Sequence, residues 1–371
     1  AKLVDPWTVE IKLQDGSTQT RSARSLILAT GARAVVPAIP GLEASAYVTS
    51  DTLWERFAEL EAAPQRLAIL GGGPIGCELA QAFARLGSQV TIIEKAERIL
   101  AREDRDVAQL VAQSLSADGV KLLTAHQALR FVGEAENKTL VVEHQGQEHS
   151  IPYDQVILAL GRKARLTGFG LESLGLSTEH KLISNEYLET LFPHIYAAGD
   201  VVGSYQFTHV AAHQAWYASV NALFGVFKRF KVDYRVIPRV TFVDPEIATV
   251  GFNEQEAQAQ NISYELSKFE LGELDRAIAD GNTQGFIKVL TVPHKDKILG
   301  VTIVGAQAGE LLAEYVLAMK QGLGLNQILG TIHSYPTLAE ANKYVAGTWK
   351  RQHAPEVLLA WIARYHTWRR G

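Results

Sequence analysis

Apolar and polar positions alternate along this chain in two rhythms, and their order outlines its architecture. Leu67 to Leu70 form a short apolar run of buried-strand type, and Ile75 to Leu86 carry apolar residues at helical spacing. Between them Gly71, Gly73 and Gly76 stand in G-x-G-x-x-G register, and Gln89 to Ile93 supply a second strand that ends at Glu94. Strand, glycine turn, helix and strand in that order predict one βαβ unit. Upstream, Val9, Ile11 and Leu13 alternate with polar residues and meet the turn Asp15-Gly16, a hairpin signal. The return strand leads to an apolar run, Leu26 to Ala29, ending at Thr30-Gly31. Residues 139–161 repeat the scheme: an alternating strand, a glycine turn, a return strand and a run that closes VILALG, where the first copy closes LILATG. This internal repeat implies two related domains. The second copy closes the domain opened at Arg66, with a helix over about Asp104–Ala117 and a strand over Val120–Thr124 in between. The first copy is expected to close a similar domain whose own glycine turn and acid would precede Ala1.

Elsewhere the pattern predicts an extended crossover at Pro37–Gly41, a capped helix over Ser50–Leu60 and a loop-rich stretch to about Pro193. A short strand then ends at Gly199-Asp200, ahead of a helix over Thr208–Phe224. There Asp200 is either a ligand-binding carboxylate or an N-cap. Past a basic linker near Phe227–Val232 the pattern changes to strands at 240–243, 265–269, 285–292 and 298–304. Helices over 253–260, 309–322 and 324–330 complete an α+β domain on an antiparallel sheet. The Trp- and Arg-rich end reads as a docked terminal helix or, in the alternative, as an exposed tail that touches a membrane or partner.

Composition narrows the function classes. At 371 residues the chain holds two or three domains, and its net charge of −4 gives no nucleic-acid footprint. The apolar runs are strand-length and interrupted, so no membrane span is expected. With Cys77 as the single cysteine, neither an intramolecular disulfide nor a two-cysteine redox centre can form within the chain, and the scarcity suits a reducing, cytoplasmic setting. The glycines carry chemistry: a tight turn, an unobstructed backbone beside a pyrophosphate, and close packing of helix on sheet. The helix start offers N–H groups and a partial positive charge to that pyrophosphate. Glu94, closing the second strand, is placed to accept from an adenosine ribose hydroxyl. The unit therefore reads as a nicotinamide-dinucleotide site.

Taken together, these motifs resemble the pyridine nucleotide–disulfide oxidoreductase family, flavoproteins that include dihydrolipoamide dehydrogenase, glutathione reductase and mercuric reductase. ATGA (Ala29–Ala32) resembles the family's second flavin-domain motif, GGGPIGCE its nicotinamide turn and ALGR (Ala159–Arg162) the end of that domain. AAGD (Ala197–Asp200) resembles the motif whose aspartate holds the ribityl chain of FAD. PRVTFVDPEIATVG (Pro238–Gly251) resembles the start of the dimerisation domain, and HSYPTLAE (His333–Glu340) the C-terminal active-site motif. The resemblance implies Rossmann-like FAD- and NAD(P)-binding domains plus an α+β dimerisation domain. It divides the chain into residues 1–64, the later part of the first flavin-domain segment; 65–161, the NAD(P)-binding domain; 162–232, a second flavin-domain segment; and 233–371, the dimerisation domain. It implies FAD contacts at Thr30, Gly31, Ala32, Asp200, Gln206, Phe207, Thr208 and His209, and nicotinamide-dinucleotide contacts at Gly71, Gly73, Ile75, Gly76, Glu94 and Gly161. Glu94 favours NADH, since a 2′-phosphate would be repelled, while Lys95 and Arg98 keep NADPH open. Glu78 matches the family glutamate that pairs with a lysine near the flavin, and equally fits a surface helix position.

Two departures qualify this reading. The family's flavin-binding glycine turn and redox C-x-x-x-x-C would lie upstream of Ala1, and Cys77, on the first turn of the nucleotide helix, reads as packing. In HSYPTLAE, dihydrolipoamide dehydrogenases have histidine directly before the proline, held by the glutamate. Here Tyr335 takes that place, Glu340 keeps the partner's and His333 lies two residues earlier. A phenol titrates too high to shuttle a thiol proton at neutral pH. Tyrosine at this position resembles mercuric reductases, which also carry a C-terminal cysteine pair that this chain lacks. The expectation is a homodimeric, mercuric-reductase-like FAD enzyme passing hydride from NAD(P)H to flavin and on to a disulfide or metal-ion acceptor, with Tyr335 and Glu340 serving the partner's site. The rival is a non-catalytic nucleotide-binding and dimerisation fragment.

Overall fold

The computed structural model describes residues 1–134, 137–176, 179–203 and 205–371, and the chain divides into two compact units. The first comprises Ala1–Gly76, Leu86–Lys95 and Ala125–Tyr234; the second comprises Cys77–Arg85, Ala96–Thr124 and Arg235–Gly371.

The βαβ pattern forms as expected, its strands in the first unit and most of its helix counted with the second. Arg66–Leu70 and Gln89–Ile93 pair in parallel, joined by the helix Pro74–Arg85, because a parallel pair needs a crossover. Gln155–Leu158 pairs in parallel with Arg66–Leu70 on its other side, and Val48–Thr49 lies beyond it. Leu67, Ala68, Ile69 and Leu70 are all buried, as expected of a strand covered on both faces.

The internal repeat is structural. In the first copy the antiparallel strands Thr8–Lys12 and Thr18–Ser22 precede Leu26–Leu28. In the second, Thr139–His144 and Gln147–Pro152 precede Gln155–Leu158. Each copy thus ends in a strand of a parallel pair, Leu26–Leu28 lying beside Ile195–Ala197. The segments that follow the two copies, Ala32–Ala34 and Arg162–Ala164, pair antiparallel with one another. The turn between the first two strands is fixed locally, for Gly16 has φ +84° and the Asp15 carboxylate accepts from the Ser17 backbone N–H at 2.9 Å.

The second unit holds an antiparallel sheet in the spatial order Pro238–Thr241, Glu246–Gly251, Ile298–Gly305, Phe286–Thr291, Glu265–Glu270. The helices Ala308–Gln321, Leu325–Gly330 and Glu340–Gln352 contribute Leu312, Tyr315, Ile328, Val345 and Trp349 to its core. Glu254–Ala259 starts with a reciprocal capping box between Asn253 and Glu256. Lys288, in the strand Phe286–Thr291, is 1 % exposed and meets three carboxylates.

Two sequence expectations are corrected. The helix foreseen over Ser50–Leu60 shortens to Leu53–Phe57, and its N-cap Thr52 makes no side-chain capping bond. Leu53 is the one buried side chain in it, too small an apolar face to support more turns. The terminal helix forms over Glu356–Arg370 but does not dock, since none of its residues is buried. Val357, Trp361, Tyr365 and Trp368 form a stripe along it, and all are exposed. The stripe finds no cover among the described residues.

Candidate active site

Three glycines build the turn, each for a different physical reason. Gly71 has φ +107°, and a Cβ there would sit 2.4 Å from the Ala159 carbonyl oxygen, so the left-handed turn must also pass close to the ALGR segment. A Cβ on Gly76 would lie 2.0 Å from the Gly71 carbonyl oxygen, which fixes the first helical turn against the strand end. A Cβ on Gly73 would meet nothing within 4 Å, so the backbone there is unobstructed. Pro74 occupies the first helical position and Ile75, partly buried, the second. An open backbone at a helix start fits the pyrophosphate of a dinucleotide.

Glu94 does more than end the second strand. Its Oε2 accepts from the Gly72 backbone N–H at 2.7 Å, so the carboxylate assigned to a ribose also fastens the turn. Gly161, with φ +96°, closes the second repeat, and its carbonyl accepts from the Val35 N–H at 2.9 Å.

Around the first repeat's end the geometry centres on Arg162, known from the sequence only as the last letter of ALGR. Its guanidinium donates to Asp51 Oδ1 at 2.7 Å, to Ser50 Oγ at 2.8 Å and to the Ala32 carbonyl at 3.0 Å. Its Nε lies 3.8 Å from Asp200 Oδ2. Asp51 also accepts from the Ala34 N–H at 3.0 Å. Although burial works against it, this bond and the Arg162 guanidinium hold the Asp51 carboxyl below its usual range. Thr30 donates its hydroxyl to the Arg165 carbonyl at 2.7 Å, and Gly31 has φ +71°. One guanidinium thereby brings Ala32, Asp51 and Asp200 together.

Asp200 is not an N-cap. It lies in the 3₁₀ turn Gly199–Val202, while Phe207 takes the cap position of the helix Thr208–Phe224 and makes no side-chain capping bond. The turn is tied to that helix through the Gly199 N–H, which donates to Gln214 Oε1 at 2.7 Å. Gln206 and Phe207 are half-buried, Thr208 and His209 are exposed at the helix start, and the Phe207 and His209 rings stack at 5.3 Å.

The remaining candidates fall in the second unit. Cys77 is fully buried, in keeping with packing. Glu78 is half-buried, and its Oε1 accepts from the Phe242 N–H at 2.8 Å; burial raises its pKa, and that hydrogen bond only partly opposes the shift. Tyr335 is 69 % exposed, and its hydroxyl donates to Asp275 Oδ2 at 3.1 Å, which raises the phenol's pKa further from neutrality. Glu340 is buried at the start of its helix and accepts from the Thr337 N–H at 3.2 Å. His333 turns to Glu314, with Nε2 3.0 Å from Oε1. Asp275 and Glu314 carried no sequence signal, since each lies far along the chain from the motif it serves.

Comparison with known proteins fits this arrangement. Residues 2–215 match the family model described as pyridine nucleotide-disulphide oxidoreductase, and residues 237–346 match that family's dimerisation domain. Mercuric reductase from Staphylococcus aureus is 35% identical over 353 residues, covering 95% of this chain and 62% of that protein. Dihydrolipoyl dehydrogenase from Chlamydia pneumoniae is 34% identical over 335 residues, covering 90% of this chain and 70% of that protein. The chain therefore spans under two thirds of the mercuric reductase it matches. Among solved structures, the Cu(II) complex of the HOCl-induced flavoprotein disulfide reductase RclA from Escherichia coli superposes with a TM-score of 0.83 at 25% identity, over 93% of this chain and 77% of that one. With both family models matched in order and the glycine turn formed, the chain belongs to the pyridine nucleotide-disulphide oxidoreductase family.

Proposed function

We propose that this chain binds a nicotinamide dinucleotide on the Gly71–Gly76 turn as part of an FAD-dependent oxidoreductase. Such an enzyme passes hydride from NAD(P)H to flavin and on to a disulfide or metal-ion acceptor. The carrying observation is the division of labour among the glycines: two are forced by close backbone approach, and the third leaves an open face at a helix start. When bound, the nicotinamide and flavin supply the hydride and electron transfer, and the protein supplies binding and orientation.

In this reading the N–H groups at the helix start hold the pyrophosphate, and Glu94 accepts from the adenosine ribose while holding Gly72. Its charge opposes a 2′-phosphate, which favours NADH. Thr30, Gly31, Ala32, Gln206, Phe207, Thr208, His209 and Asp200 are assigned to FAD, with Arg162 positioning Asp200 and the Ala32 carbonyl. Residues 65–161 are assigned as the NAD(P)-binding domain, 1–64 and 162–232 as flavin-domain segments, and 233–371 as the dimerisation domain. In a homodimer, Tyr335 and Glu340 would complete the neighbouring subunit's site. The exposure of Phe242, Ile332 and Tyr335 in the second unit supports such an interface. The tyrosine favours a mercuric-reductase-like acceptor over a dihydrolipoamide-type dithiol, because no imidazole stands directly before Pro336. The relatives named above are oxidoreductases, which favours an enzyme over the non-catalytic fragment.

Titration with NADH and NADPH tests the seat. Glu94→Arg should shift relative affinity toward NADPH by about tenfold or more, or ~1.4 kcal/mol. Glu94→Gln retains an acceptor for Gly72 and should weaken the discrimination without losing the turn. Unchanged relative affinities in Glu94→Arg would remove Glu94 from the role.

A further inference from the structure

Within the second unit three side chains from three separate elements, none of them given a binding or catalytic role above, converge. Glu265 opens the strand Glu265–Glu270, His294 lies between the strands Phe286–Thr291 and Ile298–Gly305, and His353 follows the helix Glu340–Gln352. Their ligand atoms all lie within 4.8 Å of one another. His353 Nε2 is 2.8 Å from Glu265 Oε2, and His294 Nδ1 is 3.3 Å from Glu265 Oε1. We propose that Glu265, His294 and His353 form a binding site for one divalent transition-metal ion of the zinc class.

The hydrogen bonding around His353 supports this. Its Nδ1 lies 2.9 Å from the Trp349 carbonyl oxygen, an atom that can only accept, so Nδ1 carries the proton. In the neutral ring Nε2 then presents a lone pair straight at a carboxylate oxygen. Lone pair against anion is repulsive unless a cation or a second proton stands between them. A backbone carbonyl fixing the far nitrogen is also the usual way a ligating histidine is oriented. The Trp349 ring stacks on His353 at 4.3 Å and restricts its rotation. The carbonyls at the end of the helix Glu340–Gln352 add negative potential beside the site.

The separations suit metal bonds. Zinc–nitrogen and zinc–oxygen bonds of about 2.0–2.2 Å place two ligands of one ion roughly 3 Å apart at angles near 90–105°. The 2.8 and 3.3 Å separations sit around that value. His294, whose side chain is 88 % exposed, can turn its ring onto the ion without disturbing the core. Two imidazoles and one carboxylate select zinc, copper, cobalt or nickel over calcium or magnesium, which take oxygen ligands. A bound ion would clip the loop carrying His294 and the edge strand to the end of the helix that precedes Glu356–Arg370.

Calorimetry on untagged, EDTA-dialysed protein tests this, with zinc chloride as titrant and magnesium chloride as control. One zinc per chain at micromolar affinity or tighter is expected, with a melting temperature several degrees higher and no response to magnesium. His294→Ala and Glu265→Gln should each weaken zinc binding at least tenfold. His294→Ala should also leave the metal-free melting temperature unchanged, since the ring is exposed. His126→Ala, which alters the histidine group of His126, His144 and His149, should leave zinc binding as it was. No saturable binding at about 100 μM zinc, roughly a hundredfold above a micromolar Kd, overturns the proposal, as does binding that survives both His294→Ala and Glu265→Gln or is lost in His126→Ala.

Discussion

Lys288 offers the sharpest test of how the second unit is held together. Its ammonium lies 2.5 Å from Asp104 Oδ2, 2.8 Å from Glu254 Oε1 and 2.9 Å from Asp106 Oδ1, with the side chain 1 % exposed. Asp104 and Glu254 stand at the starts of the helices Arg105–Ala117 and Glu254–Ala259, whose positive ends would repel a lysine without those carboxylates. Burial pulls the lysine pKa down, but the hydrogen bonds to Asp104, Glu254 and Asp106 outweigh it and raise the pKa well above its usual value. The group therefore stays charged at neutral pH. Lys288→Met keeps the length and apolar stem and removes the charge. Three charge-assisted hydrogen bonds of about 1.5–3 kcal/mol each are lost, but the desolvation of the ammonium is recovered. Leaving buried partners unpaired usually costs about 3–5 kcal/mol, and that is the expected loss. Asp104, 5 % exposed, is the most buried of the three carboxylates, and its Oδ1 accepts from the Gln255 N–H at 3.0 Å. Asp104→Asn preserves that acceptor, so adding it to Lys288→Met should restore about 1–2 kcal/mol of the loss. Urea unfolding at pH 7 and fixed protein concentration, followed by tryptophan fluorescence, measures both values. A loss below about 1 kcal/mol, or a double variant no more stable than Lys288→Met, would refute the reasoning.

Other changes probe the turn and the helix behind it. Gly76→Ala places a methyl 2.0 Å from the Gly71 carbonyl oxygen. It should cost about 1–3 kcal/mol in stability and weaken NADH binding at least tenfold in a fluorescence titration. Unaltered NADH affinity would mean the turn does not hold the dinucleotide. For Glu78 the pH dependence has a definite sign. Burial raises its folded pKa above the unfolded value, so the stability this group contributes is present below the unfolded pKa and is lost as pH rises through the folded one. Glu78→Gln keeps an acceptor for the Phe242 N–H and removes that loss. The variant should match or exceed the original chain in urea midpoint at pH 7, with the gap closing toward pH 4. A variant less stable at pH 7 would show that the carboxylate's charge is stabilising.

The glycine turn, the repeat and the antiparallel sheet were legible in the sequence because each is a local pattern. Spacing alone singles out Gly71 and Gly76, and alternation alone identifies the paired strands of both repeats. What could not be read is a set of long-range polar contacts. Arg162 reaches Asp51 across 111 residues, and Lys288 reaches Asp104 across 184. Tyr335 finds Asp275 sixty residues upstream rather than the nearby Glu340. No periodicity encodes such a partner, since a buried charge is satisfied by whichever carboxylate the topology delivers. The terminal helix fails for the opposite reason. Its apolar stripe is fully visible in the sequence, but a stripe specifies only that a face wants cover, and none of the described residues supplies it. Local pattern therefore locates the glycine turn, whereas the hydrogen bonding of Tyr335 depends on Asp275, a residue only the fold brings near. Any assignment of the electron acceptor must be tested at that pair and not at the motif alone.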